Sequence, residues 1–155
     1  MSVFEGKLSG KGLKIAIVAS KFNRLITDRL IEGAKNVLKQ LEVSDDDVDL
    51  YLVPGAFEIP PITESVLKKL KYDAVICLGT LIRGETPHFD YIATHVSKAI
   101  LDLSVKYSKP IVFGIITANT VDEAIDRAGV KMGNKGSEAA LVAVEMANLN
   151  KQIGG

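Results

Sequence analysis

The chain has 155 residues and carries 19 basic and 19 acidic side chains, so its charge balance gives no sign of a nucleic-acid or membrane partner. No apolar run is long enough to cross a bilayer, and the first residues lack the apolar core of a signal peptide, so we expect a cytoplasmic protein. The single cysteine, Cys77, lies in an apolar run and is expected to be a buried thiol. Cys77, His88 and His95 show no metal-ligand spacing.

Apolar runs alternate with helical patterns along the whole chain. Residues 3–8 are predicted to form an N-terminal strand, which the flexible turn 9–12 separates from the rest and which needs the sheet edge of a neighbouring subunit. Four further strands are predicted over 14–19, 48–53, 74–78 and 111–116, and helices over 27–42, 62–70, 88–107, 121–128 and from 137 onward. This order predicts a single α/β domain over 1–155. The predicted domain is a three-layer sandwich in which helices flank a four-stranded, parallel, flavodoxin-like sheet. Residues 151–155 are expected to fray.

The stretch 79–91 joins the central predicted strand to the longest predicted helix. Thr86 suits the N-cap of that helix and Pro87 its first position. The backbone N–H groups near Gly84 and Glu85 would then face an anion, phosphate above all, with His88 beside it for proton transfer. The stretch alone is equally consistent with a capped helix whose histidine is simply exposed.

Two other loops follow predicted strands at the edge where parallel α/β sheets bind ligands. Phe22 follows the first of these strands and either stacks on a flat ring or plugs its loop. The segment 54–61 is stiffened by prolines. Glu58 within it either accepts hydrogen bonds from a polar heterocycle or stabilises the following helix by lying near the positive end of its dipole. Phe113 alternates with core positions of the last strand and is by default a core residue.

Several familiar kinds of site are missing from the sequence. It contains no Walker A pattern, no Gly-x-Gly-x-x-Gly and no Gly-x-Ser-x-Gly elbow. What remains is aromatic residues at strand ends, a histidine at a helix start and the basic residues Arg127, Lys131 and Lys135. This set suits a flat ring and a phosphorylated small molecule that react by proton transfer without a cofactor.

Three segments make the chain recognisable: 53–60, 79–91 and 133–140, with the sequences VPGAFEIP, GTLIRGETPHFDY and GNKGSEAA. They resemble the lumazine synthase family, whose members catalyse the penultimate step of riboflavin biosynthesis. The combination is specific, because three separate motifs occur in the right order, and the resemblance runs almost from end to end.

The resemblance implies condensation of 5-amino-6-ribitylamino-pyrimidinedione with 3,4-dihydroxy-2-butanone 4-phosphate to 6,7-dimethyl-8-ribityllumazine, phosphate and water, without metal or organic cofactor. It also implies that Phe22 stacks on the pyrimidine, that Leu81 and Ile82 form the wall of the ring pocket, and that the ribityl chain is bound by Ala56, Phe57 and Glu58. The phosphate is expected to be bound by Glu85, Thr86 and Arg127, and His88 is expected to transfer protons. Phe113 and Lys135 are expected to reach the substrate from a neighbouring subunit. Phe57 stands where some relatives carry tryptophan.

The family also implies a homopentamer, and many members close twelve pentamers into a sixty-subunit icosahedral shell, to which riboflavin synthase can associate. The short connection 129–136 and an N-terminal strand without proline resemble the shell formers. Two alternatives remain: a relative with similar ring chemistry, such as the archaeal type of riboflavin synthase, and a catalytically silent lumazine- or flavin-binding or cage-forming scaffold.

Overall fold

The computed structural model describes residues 1–129 and 133–154. Four parallel strands form the sheet: β1 (Ile15–Ser20), β2 (Val48–Val53), β3 (Ala74–Ile82) and β4 (Ile111–Ala118). Five helices accompany them: α1 (Arg24–Gln40), α2 (Ile59–Leu67), α3 (His88–Tyr107), α4 (Val121–Asp126) and α5 (Lys135–Ile153). The expected α/β class and parallel four-stranded sheet are confirmed.

The strand order is β2-β1-β3-β4, so the two central strands, β1 and β3, are covered on both faces. Such strands are nearly all apolar, because neither face meets water. Helices α1, α4 and α5 pack on one face, and α2 and α3 pack on the other. The core is therefore divided into two apolar layers with the sheet between them.

Helices α1 and α5 approach each other unusually closely near Gly136. A Cβ atom added at Gly136 would lie 2.0 Å from the carbonyl oxygen of Leu30. Small residues of α5, namely Ala139, Ala140 and Ala143, are buried along the same helix. These small side chains allow α5 to approach its neighbours closely.

Several predicted boundaries shift in the structure. Strand β3 continues through residues 79–82, which we assigned to a loop, because its pairing with β4 extends as far as Ile82. Helix α5 begins at Lys135, not Ser137, since Asn134 caps it and accepts a hydrogen bond from the backbone N–H of Ser137 at 3.0 Å. The helix runs to Ile153 and ends at Gly154, so residues 151–153 are helical rather than frayed.

The N-terminal segment forms no strand within this chain. Residues 3–8 instead lie along α5, where the side-chain amide of Asn148 donates to the carbonyl oxygens of Lys7 and Ser9 at 2.6 and 2.8 Å. The side-chain amide of Gln152 donates to the carbonyl oxygen of Glu5 at 2.8 Å. Among residues 1–129 and 133–154 this segment has no strand partner, and its pairing with another subunit stays a prediction.

Candidate active site

The carboxyl ends of β1, β2 and β3 meet where the chain direction across the sheet reverses. The chain passes from β2, at one edge, over β1 to β3, and parallel sheets bind ligands at such a switch point. Two backbone hydrogen bonds join the loops there: Lys21 donates to the carbonyl of Val53 at 2.8 Å, and Phe22 donates to that of Pro54 at 3.1 Å. The predicted loops after β1 and β2 are therefore adjacent.

These loops and the first half of α3 enclose an open cleft of about 600 Å³. It is lined by Phe22, Gly55, Ala56, Phe57, Glu58, Leu81, Ile82, Gly84, Thr86, His88, Phe89, Tyr91, Ile92 and His95. The Phe22 and Phe57 side chains are 64% and 65% exposed, which is unusual for residues of this size. A cleft with two exposed rings and one carboxylate suits a flat ring that carries polar substituents.

Residues 83–87 form the turn between β3 and α3. Pro87 occupies the N-cap position and His88 is the first helical residue, so the predicted cap is displaced by one residue from Thr86. Within the part of the chain that the structure describes, the backbone N–H groups of Gly84, Glu85 and Thr86 have no hydrogen-bond acceptor. These exposed donors stand before the positive end of a twenty-residue helix, an arrangement that suits an anion. We therefore call residues 83–87 the anion turn. Glu85 belongs to this turn but does not line the cleft.

His88 lines the cleft from the start of α3, and its backbone N–H lies 3.4 Å from the Thr86 hydroxyl. The same face of α3 adds Ile92 and His95 to the cleft wall, along with Tyr91. Sequence reasoning missed these last residues, although their spacing from His88 is that of one helical face. His88 therefore directly follows the turn and lines the cleft.

A second, smaller pocket of about 300 Å³ lies at the edge strand β4, and it contains the remaining predicted residues. It is lined by Phe113, Ile115, Ile116, Thr117, Arg127, Lys135 and Glu138. Phe113 is partly buried: it packs against the core layer that also contains α2 and α3, and it lines this pocket as well. Glu138 lies within the 133–140 motif, but sequence reasoning gave it no role.

Local structure brings the two cations of this pocket together. Thr120 caps α4 and accepts a hydrogen bond from the backbone N–H of Glu123 at 3.1 Å. Arg127 follows α4, and its Nη1 donates to the carbonyl oxygen of Thr117 at 2.8 Å. The backbone N–H of Lys135 donates to the carbonyl oxygen of Arg127 at 2.9 Å. Lys131, the third predicted basic residue, lies outside the described residues.

The two pockets divide the expected site into complementary halves. The cleft carries aromatic rings, a carboxylate, His88 and free backbone N–H groups, but no lysine or arginine lines it among the described residues. The β4 pocket carries Arg127 and Lys135. Within the described residues, Arg127 and the residues of the cleft therefore line separate pockets.

Cys77 takes no part in either half. It is fully buried in β3, and burial raises the pKa of its thiol to about 12, partly opposed by a contact of 3.6 Å with the Thr63 hydroxyl. A thiol that stays protonated is a poor nucleophile. The expected structural role of Cys77 agrees with this position.

The described residues, 1–129 and 133–154, contain no group of three or more His, Cys, Asp or Glu side chains placed to hold a metal ion. No described helix is both long and apolar enough to span a membrane.

Comparison with known proteins decides the family. The family model for 6,7-dimethyl-8-ribityllumazine synthase matches residues 12–151. The chain belongs to the lumazine synthase family. A curated 6,7-dimethyl-8-ribityllumazine synthase from Kosmotoga olearia is 56% identical over 153 residues, which cover 99% of this chain and 98% of that protein. The lumazine synthase family and enzyme class predicted from the three motifs are therefore confirmed.

Proposed function

We propose that this chain condenses 5-amino-6-ribitylamino-pyrimidinedione with 3,4-dihydroxy-2-butanone 4-phosphate to give 6,7-dimethyl-8-ribityllumazine, phosphate and water. The observation that carries the proposal is the convergence of Phe22, the 56–58 loop, the anion turn and His88 on one cleft. We place the reaction in the cytoplasm. No cofactor takes part in the proposed reaction.

The pyrimidine half of the substrate pair fits the apolar part of the cleft. Phe22 stacks on the flat ring, and Leu81 and Ile82, at the end of β3, form the wall beside it. Ala56, Phe57 and Glu58 bind the ribityl chain, whose hydroxyl groups can donate to the Glu58 carboxylate. Binding energy from these remote groups orients the reacting amine.

The phosphate half fits the anion turn. The backbone N–H groups of Gly84, Glu85 and Thr86 hold the phosphate in front of α3, and the Thr86 hydroxyl can donate to it as well. Arg127 completes this site with charge-assisted hydrogen bonds that a lysine cannot reproduce in the same bidentate geometry. Because Arg127 lies in the β4 pocket of its own chain, we propose that it comes from a neighbouring copy, together with Phe113 and Lys135.

The exposed apolar surface supports association of copies. A groove of about 390 Å³ between α3, β4 and α5 is lined by exposed side chains that include Val105, Met146 and Ile153. Exposed apolar surface of this kind is typical of subunit contacts. We propose that copies form a pentamer, that the N-terminal segment pairs with a neighbour's sheet edge, and that pentamers close into an icosahedral shell with which riboflavin synthase can associate.

Positioning accounts for most of the proposed rate enhancement. The 5-amino nitrogen attacks the ketone carbon, whose oxygen leaves as water. Loss of a proton from the neighbouring hydroxyl-bearing carbon expels the phosphate with the electrons of its C–O bond, and the resulting enol becomes a carbonyl. The ribitylamino nitrogen attacks that carbonyl carbon and closes the ring, and its oxygen leaves as a second water. His88 moves protons to and from these centres. Because amine addition to a ketone is intrinsically feasible, holding two substrates together contributes more than the acid–base group.

The first test is an absorbance assay of lumazine formation, with the uncatalysed reaction subtracted. Arg127→Ala should lower kcat/KM by about a hundredfold, because it removes charge-assisted hydrogen bonds from the transition state. His88→Ala should lower it only about tenfold, less than the hundredfold or more that is typical of an acid–base group, because positioning supplies most of the rate. Arg29→Ala is the matched control, since Arg29 is exposed on α1 and lines neither pocket, and should keep the wild-type rate.

Each outcome has a definite meaning. A larger loss for His88→Ala than for Arg127→Ala would contradict the proposed division of labour. No excess rate from folded wild-type protein would leave a binding or cage role.

A mixing experiment tests the shared site. Phe22→Ala lacks a residue of the cleft, and Arg127→Ala lacks a residue of the β4 pocket. If a site uses both halves from different chains, random co-assembly should restore about one quarter of wild-type activity, since a quarter of the interfaces join two intact halves. The two variants are refolded together, and the activity of the mixture is compared with the sum of their separate activities. A mixture that is no more active than this sum would contradict the two-chain site.

A further inference from the structure

Arg83 lies at the start of the anion turn. Its guanidinium is already engaged by three partners. Nε donates to Oδ1 of Asn119 at 3.0 Å, while Nη1 and Nη2 donate to the two carboxylate oxygens of Asp90 at 3.3 and 3.2 Å. Its central carbon also lies 4.6 Å from the centre of the Phe89 ring, which is a cation–π contact.

The partners of Arg83 belong to the elements on both sides of the turn. Asp90 is in the first turn of α3, two residues beyond His88. Asn119 follows β4, and its backbone N–H donates to the carboxylate of Glu123 in α4 at 3.0 Å. The backbone N–H of Arg83 donates to the carbonyl oxygen of Ala118 at 2.9 Å. Arg83 therefore connects the start of the turn to the start of α3 and to the end of β4.

We propose that Arg83 is a positioning residue, which holds the anion turn and His88 in place without binding the phosphate itself. A phosphate bound directly to the guanidinium would have to compete with the Asp90 carboxylate. That carboxylate already accepts hydrogen bonds from both Nη1 and Nη2 of Arg83 in a bidentate pair. The turn instead offers its own free backbone N–H groups to the anion. This inference rests on the proposed function, because it assigns a role within that phosphate site.

The Arg83–Asp90 ion pair is exposed, and exposed pairs add little to the free energy of unfolding. Replacing Arg83 should therefore change the position of the anion turn rather than the stability of the fold. Arg83→Met should raise KM for the butanone phosphate roughly tenfold while KM for the pyrimidine stays near wild type, because only the phosphate depends on the turn. Arg83→Lys should recover part of this loss, since lysine keeps the charge but not the bidentate geometry. Inorganic phosphate, used as a competitive inhibitor, should lose affinity in the same proportion.

Asp90→Asn separates positioning from direct binding. If Arg83 positions the turn, Asp90→Asn releases one side of it and should raise KM for the butanone phosphate, as Arg83→Met does. The double variant should then be little worse than either single variant, because both remove the same contact. If Arg83 is a ligand, Asp90→Asn frees the guanidinium and should leave or lower that KM, which would overturn the inference.

The control is Asp102→Asn, which breaks the Lys98–Asp102 pair two turns or more further along α3, where Nζ and Oδ2 are 2.6 Å apart. It should change neither KM, because that pair lies away from the turn. If Arg83→Met does not fold, Asp90→Asn alone decides the result. Absence of activity in the wild type would count against the proposed function, whereas an active wild type with unchanged KM in Arg83→Met would count against Arg83 alone.

Discussion

Asn134 is a junction between three elements, and its removal gives the sharpest test of how the Arg127–Lys135 segment is held. Its Oδ1 accepts a hydrogen bond from the backbone N–H of Ser137, which caps α5. Its Nδ2 donates to the carbonyl oxygens of Arg29 in α1, at 3.0 Å, and Ala128 after α4, at 3.2 Å. Gly33 makes room for the amide, because a Cβ there would lie 2.4 Å from Oδ1.

The cost of Asn134→Ala follows from these three bonds. Loss of the N-cap should cost about 1 kcal/mol, and loss of two neutral hydrogen bonds about 1 kcal/mol each, which gives about 2–3 kcal/mol in total. For a chain of this size, such a loss lowers the unfolding temperature by about 5–10 °C. Asn134→Ser keeps a capping hydroxyl and loses only the two donor bonds, so it should cost about 1 kcal/mol less than Asn134→Ala.

The assay is thermal unfolding followed by circular dichroism, with all variants at one protein concentration because association shifts the transition. Asn36→Ala is the matched control, since Asn36 is exposed within α1, where alanine is the better helix former, and should be neutral or slightly stabilising. Equal losses for Asn134→Ser and Asn134→Ala would refute the capping contribution. A loss below about 0.5 kcal/mol for Asn134→Ala would refute the whole account.

Three further outcomes follow from buried groups. Gly136→Ala should destabilise the fold by about 1–3 kcal/mol in the same thermal assay, because its new methyl group would overlap the backbone of Leu30, and an unchanged transition would contradict that packing. Burial and the hydrogen bond to Asp49 raise the pKa of Tyr72, so only the unfolded chain ionises this phenol above about pH 10. The free energy of unfolding should therefore fall as pH rises beyond 10, and Tyr72→Phe should remove part of that slope. Cys77 should react with an alkylating reagent only after denaturation, and labelling of native protein would contradict its burial.

The sequence by itself determined the elements and the family. The apolar runs of β1 and β2 and the helical period of α3 are local patterns, and the structure places β2 and α3 at the predicted residues. Three short motifs were enough to identify the family, because together they combine glycine, proline and polar residues in an order that a packed core does not require. Patterns of this kind are readable without knowing which segments become neighbours.

Tertiary structure decided which of these residues meet. The end of β3 depends on its pairing with β4, so residues 79–82 could not be distinguished from a loop by composition alone. Arg127 appeared to belong with the anion turn, yet the fold groups it with Lys135 at the edge strand. Asn134 and Arg83 act on partners 105 and 36 residues away, respectively. Such contacts form only when the crossovers bring distant segments together, because a side chain's partner is fixed by position in space and not by separation along the chain.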